Sequence, residues 1–250
     1  MQKKGQVSTY VIIGILVVVL LVGWYYLKGD SMESRLSPKD LPFASEAESV
    51  HVLVDQCVEA ELEKALLALG FQGGHIAYPD PGYEYRRDLF IGYGLYEDEN
   101  ILPSRQDVSL EISEFLNFDL RNCVDFSDSG FVVEQDQLAT SRVNIEDERV
   151  SVELNWPLTL TKEDKTARYD ELYAVSIDVP LGRLLDVSND IVDYMSEHDG
   201  YVNINYLEDT GLETDLLKVD DDNGLIKLTT PGIMLGGELY SFQFMNKVVL

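Results

Sequence analysis

Residues 150–156 read VSVELNW and residues 173–179 read YAVSIDV. Apolar and polar side chains alternate in both stretches, which is the period of two expected of a strand with one buried face. The two stretches therefore predict a sheet that covers an apolar core. The residues predicted to face that core are Val150, Val152, Leu154 and Trp156 in the first strand and Tyr173, Val175, Ile177 and Val179 in the second.

Three other stretches carry apolar residues at steps of three and four, which predicts amphipathic helices. The first begins at Glu46 and ends at Gly70. The second opens at Ser104, where Asp107 stands at the position of a capping box, and stops near Cys123. The third follows Pro180 and is closed by Gly200. Its apolar side is predicted to consist of Leu181, Leu184, Leu185, Ser188, Ile191, Val192 and Met195.

Residues 71–103 are rich in Gly and Pro and predict a long loop or a loop-rich hairpin. After Gly200 the sequence predicts further strands, and Asn223-Gly224 is predicted as a hairpin turn because both residues tolerate positive φ. The expected fold class is α+β, with about three helices packed on a mainly antiparallel sheet in one domain, residues 46–250. The further strands are predicted at Tyr201–Leu207, Leu216–Val219, Leu225–Thr229 and Leu239–Leu250.

An apolar run, Val7–Leu27, lies near the start of the chain, with no charged side chain between Lys4 and Lys28. At ~1.5 Å per residue a helix of this length spans roughly 30 Å, the thickness of the hydrocarbon core of a bilayer. The run is longer than that of a cleaved secretory signal, and no small-residue cleavage site follows it. The sequence therefore predicts a retained transmembrane helix, residues 6–28, and lipid as a partner.

The charged residues predict which side of the membrane each flank of this helix faces. Lys3 and Lys4 precede it, which predicts a cytoplasmic amino terminus. The remainder, residues 29–250, holds 16 basic and all 45 acidic residues and so carries a net charge of −29. This charge argues against binding to nucleic acid. We expect a stalk at residues 29–45 and, beyond it, an extracellular domain attached to the cell membrane.

The sequence KKGQVS at residues 3–8, followed at once by the apolar run, resembles an archaeal class III signal sequence of the type IV pilin kind. In that family a prepilin-type peptidase cuts after the small residue, which implies cleavage after Gly5, a leader of residues 1–5 and Gln6 as the new terminus. Pilins usually carry Glu at the fifth mature position, and this chain has Tyr10 there. The difference favours a single-pass anchor over a filament subunit.

Seven segments of the sequence form a pattern that runs over most of the chain. They are the leader, Asp55-Gln56-Cys57, Leu69-Gly70-Phe71-Gln72-Gly73-Gly74, Leu116–Phe126, Trp156-Pro157, Val179-Pro180-Leu181-Gly182-Arg183-Leu184 and Tyr240-Ser241-Phe242-Gln243-Phe244. This pattern resembles that of a group of uncharacterised membrane-anchored proteins of small-genome archaea, which has no assigned activity. The resemblance supports the predicted architecture and leaves the function open.

Cys57 and Cys123 are the two cysteines of the sequence. An even number of cysteines on the oxidising side of a membrane favours a disulfide. Such a bond would fasten the first predicted helix to the end of the second. Two separately buried thiols are the alternative interpretation.

Aromatic residues are concentrated between residues 78 and 96, beside two arginines and several glycines. One interpretation is a recognition loop for a glycan, a peptide or a surface protein, because rigid amphipathic rings supply contact area at small entropic cost. The other, which we favour, is a loop folded onto the sheet with its rings buried, because large rings usually pack. The candidate binding residues are Tyr83, Tyr85, Arg86, Arg87, Tyr93 and Tyr96.

Catalytic chemistry has no candidate in the sequence. The histidines do not stand at metal-ligand intervals, and no nucleophile elbow, phosphate-binding loop or dinucleotide fingerprint occurs. Residues 220–224, DDDNG, lack the ligand order of an EF-hand and predict a solvated turn. We therefore expect no enzymatic activity, no cofactor and no metal.

The function expected from these features is that of a membrane-anchored cell-surface protein with a structural or binding role in the envelope or in cell contact. A pilin-like filament subunit is the first alternative, as the leader suggests. A membrane-tethered extracellular hydrolase is the second. The expected partners are the bilayer, a prepilin-type peptidase and a glycan, peptide or surface-protein ligand.

Overall fold

The computed structural model describes residues 41–79, 83–86, 89–135, 137–170 and 172–247. The predicted leader, cleavage site at Gly5 and Gln6, and span at residues 6–28 lie outside these residues. The chain divides into two compact units after Glu46, and the elements described belong to the unit that begins at Ala47. Its helices are α1 (Leu41–Phe71, which begins before the boundary), α2 (Arg105–Cys123), α3 (Leu181–Glu197) and α4 (Ile204–Asp209).

The described residues form twelve strands in three sheets. The largest has the order β1-β2-β12-β11-β10, with β3 beside β2, and its pairs are antiparallel except for the parallel pair of β12 and β2. The other two sheets have the orders β4-β7-β8 and β5-β6-β9. The strands are β1 (Tyr83–Arg86), β2 (Leu89–Tyr96), β3 (Glu99–Asn100), β4 (Val132–Gln135), β5 (Thr140–Ile145), β6 (Val150–Asn155), β7 (Leu158–Lys162), β8 (Lys165–Tyr169), β9 (Leu172–Ile177), β10 (Glu213–Lys218), β11 (Asn223–Leu235) and β12 (Glu238–Lys247).

The predicted fold class, α+β with a transmembrane helix followed by about three helices packed on mainly antiparallel sheet, is wrong. The described part of the chain is mainly sheet, divided among three sheets, and has four helices. None of the helices it describes is long and apolar enough to cross a membrane. Alternation along one strand shows which face is buried and carries no information on which strands share a sheet. The sequence pattern therefore does not show how many sheets the strands form.

Two predictions made after Gly200 also fail. The stretch Tyr201–Leu207, predicted as a strand, contains the start of α4, where the Asn203 side chain accepts a hydrogen bond from the Tyr206 N–H at 3.2 Å and caps the helix. Asn223-Gly224 belongs to β11 and is not the turn, although the predicted hairpin of the two flanking strands is present as β10 and β11. At the start of α4 and at the turn before β11, short polar side chains form local hydrogen bonds to the backbone. Such bonds of Asn and Asp side chains compete with the backbone pairing of a strand.

The strand pattern at residues 150–156 is confirmed by burial. Each of its four apolar side chains is at most 1% exposed. In α3 the predicted apolar side is confirmed as well, because every one of its seven predicted residues is buried. The predicted capping box of α2 is present: the Asp107 carboxylate accepts the Ser104 N–H at 3.0 Å, and the Ser104 hydroxyl accepts the Asp107 N–H at 3.3 Å.

The carboxyl end of α1 packs against the largest sheet beside the parallel pair of β2 and β12. The Phe71 carbonyl accepts a hydrogen bond from the Gln243 side chain of β12 at 2.8 Å, and the Gln72 carbonyl accepts one from the Gly92 N–H of β2 at 3.0 Å. Gly70 approaches the Ser241 carbonyl so closely that a Cβ would collide with it. The end of α1 therefore links β2 to β12, through a backbone N–H of β2 and a side chain of β12.

Helix α2 covers the edge of β5. The Asn117 side chain accepts the Ser141 N–H at 2.8 Å, and the Ser109 hydroxyl donates to the Val143 carbonyl at 2.7 Å. An edge strand presents unpaired backbone groups that invite association, and a covering helix satisfies them. The pairing of α2 with β5 thus closes one side of the β5-β6-β9 sheet.

Candidate binding surface

Three aromatic rings lie together at the β1–β2 hairpin. The Tyr78 ring is 5.3 Å from the Tyr83 ring and 4.6 Å from the Phe90 ring, measured between centroids. Tyr83 and Phe90 are 5.8 Å apart in an edge-to-face arrangement. These are distances at which aromatic rings attract one another. We call Tyr78, Tyr83 and Phe90 the aromatic patch.

The patch has a buried base and an exposed upper part. Phe90 is 5% exposed, whereas Tyr83 is 43% and Tyr78 is 61% exposed. Phe90 anchors the group in the core, and the two tyrosines present ring surface and hydroxyl groups to the solvent. Exposed aromatic groups on a rigid base are typical of binding surfaces, because little entropy is lost when they meet a ligand.

The register of the hairpin explains why these residues meet. Tyr83 pairs with Gly92, so Phe90, two residues before Gly92, lies diagonally opposite Tyr83 on the same face. Gly92 has no side chain, and the His75 ring occupies the space where its Cβ would lie, with the ring Cδ2 2.9 Å from that position. The lack of a side chain at Gly92 thus allows the segment before Tyr78 to pack on the hairpin.

Glu111 of α2 holds this segment in place. Its carboxylate accepts the Ile76 N–H at 2.6 Å, and its other oxygen lies 3.1 Å from Nδ1 of His75. Both partners are two or three residues from Tyr78. A bidentate contact from a helix to a loop fixes the course of the loop, and so the position of the patch depends on α2.

The other tyrosines of the predicted loop form a separate cluster. The Tyr93 and Tyr96 rings are 5.4 Å apart, and the ammonium group of Lys247 lies 4.8 Å from the Tyr96 ring centroid. Tyr93 is only 6% exposed. The structure therefore divides the aromatic segment: one part is presented to solvent and another is packed.

The remaining predicted binding residues are Tyr85, Arg86 and Arg87. Tyr85 and Arg86 contribute their backbone to β1, and Arg87 lies outside the described residues. Tyr78 and Phe90, which were not among the candidate binding residues, form two thirds of the patch. Hairpin register could have indicated Phe90, but the position of Tyr78 depends on the long-range contact of Glu111.

Burial raises the pKa of Tyr93 to about 12, and the nearby Glu84 carboxylate adds to the effect because it repels a phenolate. The Tyr93 hydroxyl donates to the Asn223 side chain at 2.9 Å. Tyr93 thereby joins β2 to the first residue of β11.

We expect substitution of Tyr93 by phenylalanine to lower stability at pH 8 and to weaken its decline in alkali. The lost bond to Asn223 costs about 1 kcal/mol at pH 8. An unfolded tyrosine ionises near pH 10, whereas folded Tyr93 keeps its proton to about 12, so the stability it contributes falls as pH rises between these values. The decline is reduced and not abolished, because the pKa values of Tyr206 and Tyr240 are also raised, mainly by burial.

Urea unfolding at pH 8 and pH 11 measures both effects. The exposed Tyr201, substituted by phenylalanine, is the matched control and should change neither value. A Tyr93→Phe protein whose stability falls between the two pH values as steeply as that of the unmodified chain would contradict the assignment.

Cys57 and Cys123 form a disulfide in the structure, with their Cα atoms 5.8 Å apart. The bond joins α1 to the last residue of α2, the helix that positions the aromatic patch. The stretch between the two cysteines contains the whole β1–β2 hairpin. The disulfide therefore closes the loop that carries the patch.

Sequence reasoning missed a cleft at the other end of the largest sheet. It has a volume of about 280 Å³ and lies between the carboxyl end of α3 and the β10–β11 hairpin. The acidic run at residues 220–222, considered above as a solvated turn, is part of its lining. The residues that line it include Met195, Val202, Leu216, Leu217, Leu225 and Ile226.

The described residues contain no group of three or more His, Cys, Asp or Glu side chains placed to hold a metal ion. At the acidic turn, the Asp220 carboxylate accepts the N–H groups of Asp222 at 2.9 Å and Asn223 at 2.8 Å. These bonds close the turn between β10 and β11. The role that the geometry assigns to Asp220 is structural.

Comparison with models of known protein families, with curated proteins and with solved structures found no match to this chain. The proposals below therefore depend on the geometry of the chain itself.

Proposed function

We propose that this chain is a non-enzymatic binding protein of the cell surface and that it holds a glycan on the aromatic patch. The observation that carries the proposal is the pair of mutually packed, partly exposed tyrosines, Tyr78 and Tyr83, on the buried Phe90. A peptide or a surface protein is the alternative ligand.

The chemistry of the tyrosine rings favours a sugar as the ligand of the aromatic patch. The face of an aromatic ring carries negative charge density, which attracts the polarised C–H groups on the apolar face of a sugar ring. The tyrosine hydroxyl groups lie at the edge of such a contact and suit the hydroxyl groups of a sugar. Two rings offer far less than the ~800 Å² per partner of a stable protein interface, so the patch fits a small ligand better than a protein surface.

The disulfide between Cys57 and Cys123 supports a location outside the cytoplasm. Disulfides persist in oxidising compartments and are rare where thiols are kept reduced. The strongly acidic composition suits a domain that must stay soluble beside an envelope. Membrane attachment through the amino-terminal segment lies outside the described residues and stays a prediction.

Replacement of Tyr78 and Tyr83 together by alanine is expected to weaken glycan binding strongly and leave the fold intact. Each ring contributes about 1 kcal/mol or more to a stacked contact, so the pair should lower affinity at least tenfold. Both side chains are partly exposed, so the substitutions leave no large cavity. Binding is measured on a glycan array and then by calorimetry with the glycans that bind.

Phe118→Ala is the matched control, because Phe118 is 73% exposed on α2 and lies outside the patch. The control should bind as the unmodified chain does. An array without any binding glycan would overturn the proposal, as would a double variant that binds as well as the control. Binding of peptides alone would replace the glycan by the alternative ligand.

A further inference from the structure

The cleft beside the β10–β11 hairpin has an apolar floor and two exposed leucines in its lining. Met195 and Ile226 are buried at 3% exposure each, whereas Leu216 and Leu217 of β10 are 45% and 54% exposed. The volume of about 280 Å³ lies just below the ~300–1,000 Å³ of pockets that hold drug-sized ligands. The cleft is therefore suited to one or two apolar side chains.

Strand β10 borders this cleft and stands at the end of the strand order of the largest sheet. It pairs with β11 along its whole length, from Glu213 to Lys218. Within the part of the chain that the structure describes, its other edge has no strand partner. The backbone groups of such an edge can pair with an extended segment of another chain.

The rim of the cleft is acidic. Asp220, Asp221 and Asp222 line it together with one basic residue, Lys218. Lys218 contacts Asp221 at 2.9 Å, but both side chains are largely exposed, so solvent screens this pair strongly. Three carboxylates against one ammonium group leave the rim negative, within a chain whose net charge is −26.

We propose that β10 and this cleft form a second binding site, for an extended peptide segment of a partner protein in which apolar and basic residues alternate. The segment adds a strand to β10. Its apolar side chains enter the cleft beside Leu216, and its Lys or Arg side chains meet the acidic rim. Because successive side chains of a strand point to opposite faces, the apolar residues share the face that meets the cleft. The basic residues beside the turn at residues 220–222 reach the rim with their long, flexible side chains. This site is separate from the glycan site proposed above.

The test uses the full chain and a nine-residue peptide of alternating leucine and lysine, titrated by calorimetry. A peptide with glutamate in place of lysine tests the charge. One with proline at two consecutive central positions tests strand pairing, because one of any two neighbouring residues must direct its N–H at β10 and proline has no N–H. We expect the leucine–lysine peptide to bind at least tenfold more tightly than either of the others.

Two double variants locate the site. Asp221→Asn with Asp222→Asn is expected to weaken binding about fivefold, and Leu216→Ser with Leu217→Ser about tenfold or more. Glu163→Gln with Asp164→Asn removes the same charge from the exposed β7–β8 turn and should change binding less than twofold. Circular dichroism checks that each variant is folded.

Three outcomes would overturn the inference. Equal binding of the lysine and glutamate peptides would show apolar adhesion without charge recognition. Equal loss in the β7–β8 control would show attraction to the overall negative charge. Full binding of the proline peptide would exclude addition of a strand to β10.

Discussion

Substitution of Trp156 by alanine is expected to lower the free energy of unfolding by about 4 kcal/mol, whereas phenylalanine at the same position should cost less than about 1.5 kcal/mol. The Trp156 side chain is 1% exposed, and its ring lies 6.2 Å from that of Phe126. Alanine leaves a cavity that the surrounding core cannot fill. Phenylalanine keeps most of the packing.

The indole N–H explains why phenylalanine at position 156 is expected to lower the free energy of unfolding less than alanine does. The Nε1 atom of Trp156 is buried and has no hydrogen-bond partner among the described residues. A buried donor without an acceptor costs about 1–3 kcal/mol, and phenylalanine removes that donor. The smaller ring loses some contact area, so the two effects oppose each other.

Urea unfolding of both Trp156 variants, with the exposed Phe118→Ala as a control, measures these values. The control should stay within about 0.5 kcal/mol of the unmodified chain. If phenylalanine destabilised the protein as much as alanine, the indole N–H would have a partner and the account of this site would be wrong.

Removal of the disulfide is the second prediction with a large expected effect. Cys57 and Cys123 are 66 residues apart, and the chain-entropy model gives about 4 kcal/mol for a closed loop of this length. Replacement of both cysteines by alanine should therefore lower the free energy of unfolding by a similar amount. The cause is the greater freedom of the unfolded chain between the two positions.

The measurement compares the unfolding of the oxidised chain, the reduced chain and the double alanine variant. We expect the reduced chain and the variant to agree closely, since both lose the same cross-link. Alkylation of the folded, unreduced protein is the control for the bond itself. Two reactive thiols in that experiment would show that the bond does not form, and the support for a location outside the cytoplasm would be lost with it.

The sequence predicts a helix well where contacts between residues close in the chain determine its first residue or its buried face. The capping box at Ser104 and the buried face of α3 follow from contacts within one element, between residues three or four apart. The failure at Tyr201–Leu207 has the same origin, because one cap at Asn203 outweighs the strand propensity of the residues around it.

The candidate sites depend on contacts that sequence periodicity does not encode. The aromatic patch needs Glu111, which is 35 residues from Ile76, and the cleft needs α3 beside a hairpin that follows it in the chain. The sequence pattern also does not predict that Tyr93 is buried and Tyr83 exposed. The alternation within a single hairpin does not show which of its faces another element covers.

The sequence by itself determined the acidic charge, the buried faces of β6 and α3, and the cap of α2, because each depends on composition or on neighbours along the chain. The tertiary structure decided the partition into three sheets, the division of the tyrosines and the existence of the cleft. These features arise from strand pairing and packing between distant residues. Many pairings satisfy the same local pattern, and the complete core selects one of them.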